Sequence, residues 1–158
     1  MGLFAEEFED AIFFSRLDEE EMLGSRIHQP FLLDDYNWPT AEHYTQALLF
    51  KDAKIQQQIR ESEEPVEAAK QYKWRFWLKH KDWKKRGPIL MTRAIYTQCK
   101  TYPVKAQALL DTEDRLLMEN SLYDYFWGCG RDRRGDNRYG KVMMSVRGRL
   151  RKEAAQSQ

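Results

Sequence analysis

The sequence predicts an α+β fold, predominantly helical, with a few short strands gathered in one compact domain. Three observations carry this expectation. Apolar residues recur at helical spacing at Met91, Ile95, Cys99 and Tyr102, and again at Val142, Met143, Val146 and Leu150. Two brief apolar and aromatic runs, Ala11-Ile12-Phe13-Phe14 and Pro30-Phe31-Leu32-Leu33, have strand composition. The chain has 158 residues, 42% hydrophobic and 13% aromatic, enough for one packed core and too short for two. No internal repeat and no long Gly/Ser- or Pro-rich linker divides it, so a single domain is expected over 1–153, with 154–158 as a frayed tail.

The elements follow in order. After the two strands, Asp34-Asp35-Tyr36-Asn37 has turn composition, and Thr40 can cap a helix whose apolar positions are Tyr44, Ala47 and Leu48. Ser62 followed by Glu63, Glu64 and Pro65 reads as a second helix start, with a hydroxyl cap, early acids and a proline in the first turn, running to Tyr72. Gly87-Pro88 breaks or starts the helix that carries the Met91 stripe, and Pro103 opens another that ends near Asp111. Arg115-Leu116-Leu117-Met118-Glu119 is a candidate strand. The last helix carries Arg147, Arg149, Arg151 and Lys152 toward its negative end.

Charge is nearly balanced at +1, which leaves no strong overall pull toward nucleic acid or anionic lipid. Its distribution is uneven. The first 21 residues hold eight acids against Arg16 alone, and residues 70–86 hold eight Lys or Arg against Asp82 alone. An acidic head could therefore meet a basic middle, within one chain or between two copies. A mean hydropathy of -0.80 and the absence of any long apolar run argue against a membrane span, and acidic Glu6, Glu7, Glu9 and Asp10 argue against a cationic signal peptide. The two cysteines, Cys99 and Cys129, form no C-x-x-C pair and fit a reducing compartment, so the expected setting is soluble and cytoplasmic. No metal site is expected, since zinc ligands are too few and H-E-x-x-H is absent.

Three stretches could carry chemistry. Glu42 and Gln46, four apart on the helix after Thr40, point into one space with His43 beside them, an arrangement that also suits a solvated first turn. The run from Trp127 to Gly140 holds four glycines and four arginines ahead of a helix, reading either as a phosphate cradle or as a bulged turn with solvated arginines. It matches neither G-x-G-x-x-G nor a Walker loop. In Lys70 to Arg86, Trp74, Phe76, Trp77 and Trp83 interleave with Lys73, Arg75, Lys79, Lys81, Lys84 and Lys85. That is the equipment for stacking bases along a phosphate backbone, unless the aromatics are core and the lysines their solvated face.

Taken together, Asn37-Trp38-Pro39-Thr40-Ala41-Glu42-His43-Tyr44-Thr45-Gln46-Ala47, then Trp83, Met91, Glu119 and Asp124, then Trp127-Gly128-x-Gly130 through Gly135-x-Asn137-Arg138-x-Gly140 with Met144 and Arg147, resemble the YbiA-like NADAR family from about Phe13 to Leu150. The resemblance implies a compact, mostly helical α+β fold and an N-glycosidase needing no metal or redox cofactor. Its substrate would be a phosphoribosyl or ADP-ribosyl conjugate of a purine- or pyrimidine-like base, of the riboflavin-intermediate or the ADP-ribosyl-guanine type, the latter free or carried on nucleic acid. It further implies Glu42 as the carboxylate at the anomeric centre, Asp124 as a second carboxylate, and Trp83 and Trp127 as walls. Trp38, His43, Gln46, Gly128, Gly130, Asn137, Arg138 and Gly140 would complete the substrate site. Breaking a C1′–N bond passes through an oxocarbenium-like ion, which a carboxylate stabilises.

The chain also departs from the family pattern. Leu49 stands where the Q-A-x-K-F pattern has lysine, Ser25-Arg26-Ile27 stands near the usual Ser-Asn-Phe, and Gln98-Cys99 replaces a Lys-Phe pair. With the lysine absent, the alternative reading is a catalytically weakened module that binds nucleotides, ADP-ribose or single-stranded nucleic acid through the Lys70 to Arg86 segment and the arginine loop.

Overall fold

A computed structural model describes residues 8–157. Glu6 and Glu7 of the acidic head lie outside them. The strands are short: β1 (Ile12–Phe14), β2 (Phe31–Leu33), β3 (Tyr36–Trp38) and β4 (Leu117–Glu119). Among the described residues the α-helices are α1 (Ala41–Leu48), α2 (Ala53–Glu61), α3 (Pro65–Lys70), α4 (Trp83–Thr101), α5 (Pro103–Leu110) and α6 (Arg138–Gln156). The predominantly helical α+β class expected from the sequence is what forms.

β2 and β3 make an antiparallel hairpin in which Phe31 faces Trp38. Its two-residue turn, Asp34-Asp35, takes φ of 52° and 69°, the paired left-handed geometry that matches the strands' twist. Thr40 then caps α1 as its sequence suggests, its Oγ1 accepting from the His43 amide at 3.1 Å. The helix α4 packs between α1 and α6, and the two apolar stripes meet there: Met91, Ile95, Cys99, Val142, Met143, Val146 and Leu150 are all buried.

The structure corrects several local expectations. Ser62 does not cap α3; its hydroxyl donates to the Ile59 carbonyl at 2.7 Å and closes α2, a helix whose thin apolar stripe is Ile55 and Ile59. Helix α4 begins at Trp83 and runs through Gly87-Pro88, because Pro88 lies early enough to forfeit a single intrahelical bond and Gly87 is held against Trp127. The strand near Leu117 is three residues rather than five. Helix α6 continues to Gln156 rather than fraying from Ala154. Arg147 is buried and donates to Thr112 Oγ1 and the Arg115 carbonyl, so it fastens a loop rather than answering the helix dipole. Among the described residues no ion pair joins acidic head to basic middle: Glu19 pairs with Arg26, Lys70 with Glu67 and Arg86 with Asp82. No described helix is long and apolar enough to cross a membrane.

Candidate active site

Parallel pairing of β1 with β4 sets Phe14 opposite Glu119, so the chain leaving one strand runs beside the chain leaving the other. Arg16 is delivered by this register. Its amide donates to Glu119 Oε1 at 2.9 Å, and its guanidinium reaches Glu42 Oε2 at 2.6 Å and Asp124 Oδ2 at 3.3 Å. Glu42 Oε2 also accepts from Ser25 Oγ at 2.5 Å, and Oε1 accepts from Gln46 Nε2 at 2.8 Å. The i, i+4 spacing of Glu42 and Gln46 thus brings them together as expected. Burial by itself would push the Glu42 carboxyl up, but the Arg16 guanidinium with the Ser25 and Gln46 bonds outweighs it and holds the group below the usual carboxylate range.

Above this network opens a cavity of about 520 Å³. Arg16, Gln46 and Phe50 line it, with Lys70, Lys73, Phe76, Lys79, Trp83, Asp124, Phe126 and Trp127 among the others. Three rings form a strip: Trp83 and Phe126 lie 5.5 Å apart between centroids, and Phe126 and Trp127 5.0 Å, both edge to face. A cation covers each end, Lys79 at 4.4 Å from the Trp83 ring and Arg16 at 5.5 Å from Trp127. Asp124 is the one carboxylate lining this cavity among the described residues. Its Oδ1 accepts from the Phe126 and Trp127 amides at 3.0 and 2.8 Å, which fixes the turn carrying both rings.

The expected site residues therefore separate into two groups. Trp83, Gln46, Asp124 and Trp127 line the cavity. Glu42 lies one layer beneath: its side chain is 0% exposed, against 30% for Asp124, and Arg16 and Gln46 stand over it. Trp38 is buried against the hairpin, its Nε1 donating to the Leu33 carbonyl at 2.9 Å. His43 turns to a different surface, where Nε2 donates to the Ser62 carbonyl at 2.7 Å and Nδ1 accepts from the Thr40 hydroxyl. That is a neutral tautomer, consistent with burial lowering the ring's pKa.

In the glycine-arginine run, read from the sequence as a phosphate cradle, four amides are already paired within the protein: Asp136, Asn137, Arg138 and Tyr139 donate to the carbonyls of Tyr125, Gly128, Phe126 and Trp127. Asn137 sits at φ 50° with its side chain stitched to β4, Oδ1 accepting from the Glu119 amide and Nδ2 donating to the Leu117 carbonyl. Gly140 is where α6 crosses β4, since a Cβ there would lie 2.1 Å from the Leu117 oxygen. Gly128 and Gly130 pack equally tightly against Glu119 and Tyr125, and Arg138 leans on Phe126 outside the cavity. The basic segment reverses the usual arrangement: Trp74, Phe76 and Trp77 are exposed rather than core. Leu49 is buried within the apolar layer near Gly87.

Sequence reasoning missed Arg16, Phe126 and the particular place of Lys79. Arg16 did carry a signal, as the lone cation among eight acids; Lys79 was one lysine among several.

A family profile, that of the NADAR domain, matches residues 3–151. The chain belongs to the NADAR family. Among NADAR relatives it is 38% identical over 122 residues to an N-glycosidase of Nostoc punctiforme, covering 75% of this chain and 78% of the relative. It is 30% identical over 138 residues to the N-glycosidase YbiA of Escherichia coli, covering 87% and 86%. The solution structure of E. coli YbiA superposes with a TM-score of 0.80 over 92% of this chain and 88% of YbiA. A chloroplastic riboflavin biosynthesis protein of Zea mays is 35% identical over 127 residues, which are 74% of this chain and 20% of the maize protein.

Proposed function

We propose that this NADAR chain is an N-glycosidase that hydrolyses the C1′–N bond of a small nucleotide-like substrate, a phosphoribosyl or ADP-ribosyl conjugate of a purine- or pyrimidine-like base. The observation that carries the reading is Asp124, an accessible carboxylate set against a strip of three aromatic rings in a cavity large enough for a nucleotide. Relatives named N-glycosidase and riboflavin biosynthesis protein support it and favour an enzyme over a binding-only module.

The chemistry follows from the parts. The base stacks on Trp127 at the Arg16 end of the aromatic strip, which leaves C1′ beside Asp124. As the C1′–N bond breaks, both electrons stay with nitrogen and positive charge develops on the sugar, where the Asp124 carboxylate stabilises it. Asp124 then takes a proton from water as its oxygen adds to C1′ and passes that proton to the departing nitrogen, so that one water is consumed and the carboxylate is regenerated. Arg16 holds Asp124 in place, and Glu42 holds Arg16 and Gln46, which makes Glu42 a positioning residue rather than the group at the anomeric carbon. Cys99 and Cys129, both free and buried, suit a cytoplasmic setting.

The test offers the protein a phosphoribosylamino-pyrimidine and an ADP-ribosylated guanine conjugate and follows the released sugar by mass spectrometry. Release by the wild type that falls about 10²–10⁴-fold in Asp124→Asn supports the reading. Absence of cleavage of both, or full activity in Asp124→Asn, overturns it.

A further inference from the structure

The charges around the cavity are not evenly matched. Of its four lining cations, Arg16 is tied to Glu42 and Asp124, and Lys70 to Glu67 at 3.2 Å. Lys79 and Lys73 meet no carboxylate among the described residues. Lys73 is exposed at the rim over Trp74, whereas Lys79 is half-buried. The backbone of Lys79 is fixed, because it forms an antiparallel bridge with Phe50 and is flanked by the bonds His80 amide to Leu49 carbonyl and Lys51 amide to Leu78 carbonyl. Its ammonium is held over the Trp83 face at the end of the aromatic strip away from Arg16. Burial lowers the Lys79 pKa without a counter-ion to offset the cost. A half-buried, positioned and unpaired ammonium in a cavity wall is costly for a folded protein unless an anion arrives there.

We infer that Lys79 is the anchor of a phosphate subsite, at the Trp83 end of the cavity, for the phosphoryl group of the sugar substrate, with Lys73 adding charge at the mouth. The strip then has a polarity: the anion binds beside Trp83, and the bond that breaks lies toward Trp127, where Arg16 and Asp124 stand. Identifying the ligand as a sugar phosphate rests on the N-glycosidase reading; the existence of an anion subsite rests on the cavity's charges alone.

Binding of product-like sugars tests this without turnover. Ribose 5-phosphate, ADP-ribose and unphosphorylated ribose are titrated calorimetrically into wild type, Lys79→Met, Lys79→Arg and Lys84→Met. Lys84 also approaches the Trp83 ring but does not line the cavity, so it controls for general positive charge. The expected result is a loss of about ten- to a hundredfold in affinity for a phosphorylated ligand in Lys79→Met. Lys79→Arg should recover much of it, Lys84→Met should match wild type, and no variant should melt below wild type. A Lys79 dependence confined to ribose 5-phosphate identifies a monoester subsite, and one confined to ADP-ribose a diphosphate subsite. Equal affinity of wild type and Lys79→Met for both phosphorylated ligands, or no preference of the wild type for them over ribose, overturns the proposal. Failure to cleave either conjugate would leave this result standing, and loss of the Lys79 dependence would leave the hydrolytic reading standing.

Discussion

Arg16 and Glu42 form a buried ion pair at 2.6 Å, with side chains 4% and 0% exposed, and the guanidinium continues from it to the cavity carboxylate Asp124. One cation therefore links a fully buried carboxylate to one that opens on the cavity, and on the proposed reading the two acids respond differently to loss of charge.

Glu42→Gln leaves a buried guanidinium short of its main counter-ion, and breaking such a pair from one side costs ~3–5 kcal/mol. The expected outcome is a large drop in melting temperature together with lost activity. Asp124→Asn should lose activity with a much smaller stability change. Paired thermal melts and turnover assays check both; equal stability of Glu42→Gln and wild type would show that the pair does not hold the site together.

Acid should act through the same pair. The folded-state pKa of Glu42 lies below its ordinary value of 4.5, so its contribution is fully present above that pH and is lost as pH falls through the lowered folded value. Urea melts of the wild type should weaken below about pH 4.5 more steeply than those of Glu42→Gln, which lacks the titrating group.

Lys105 is expected to behave in the opposite part of the range. It is fully buried, donates to the Met22 carbonyl at 2.9 Å and the Gly24 carbonyl at 3.3 Å, and has neighbouring charge only from Cys99 and Glu21 among the described residues. Burial pushes its pKa from 10.5 down to about 8, so between these values the unfolded chain binds the proton that the folded chain has released. Stability from this group therefore rises with pH across that interval and is lost as pH falls through about 8. Lys105→Met should flatten the rise, as denaturation curves taken across the interval would show.

Gly87→Ala tests the seat of Trp127. A Cβ at Gly87 would lie 3.3 Å from Trp127 Cζ2, so the ring must yield by a few tenths of an ångström. Weaker substrate binding with a modest change in melting temperature is expected. Gly140→Ala, by contrast, meets the Leu117 carbonyl and should destabilise the fold outright.

Much of this was legible in the sequence because it is local. Thr40 announces its helix, and the Met91 and Val142 stripes announce the core, since periodicity and capping depend on near neighbours. Glu42 and Gln46 were legible as a pair for the same reason. What could not be read was tertiary. That Glu42 lies under Arg16, that Trp38 belongs to the hairpin, and that the amides from Asp136 to Tyr139 are already paired all depend on contacts between separate segments. The motif around Trp127 to Gly140 marks the family, but its glycines permit close packing rather than ligand approach.

The parallel pairing of β1 with β4 has a consequence for how the molecule comes into being. Arg16 and Asp124 are 108 positions apart, so neither the clamp on Asp124 nor the wall beside it exists until the chain has been made through that loop. Closing so long a loop is entropically slow and favours late assembly. A nascent or truncated chain ending before Leu117 lacks β4, Asp124, Phe126 and Trp127, and with them one wall of the cavity.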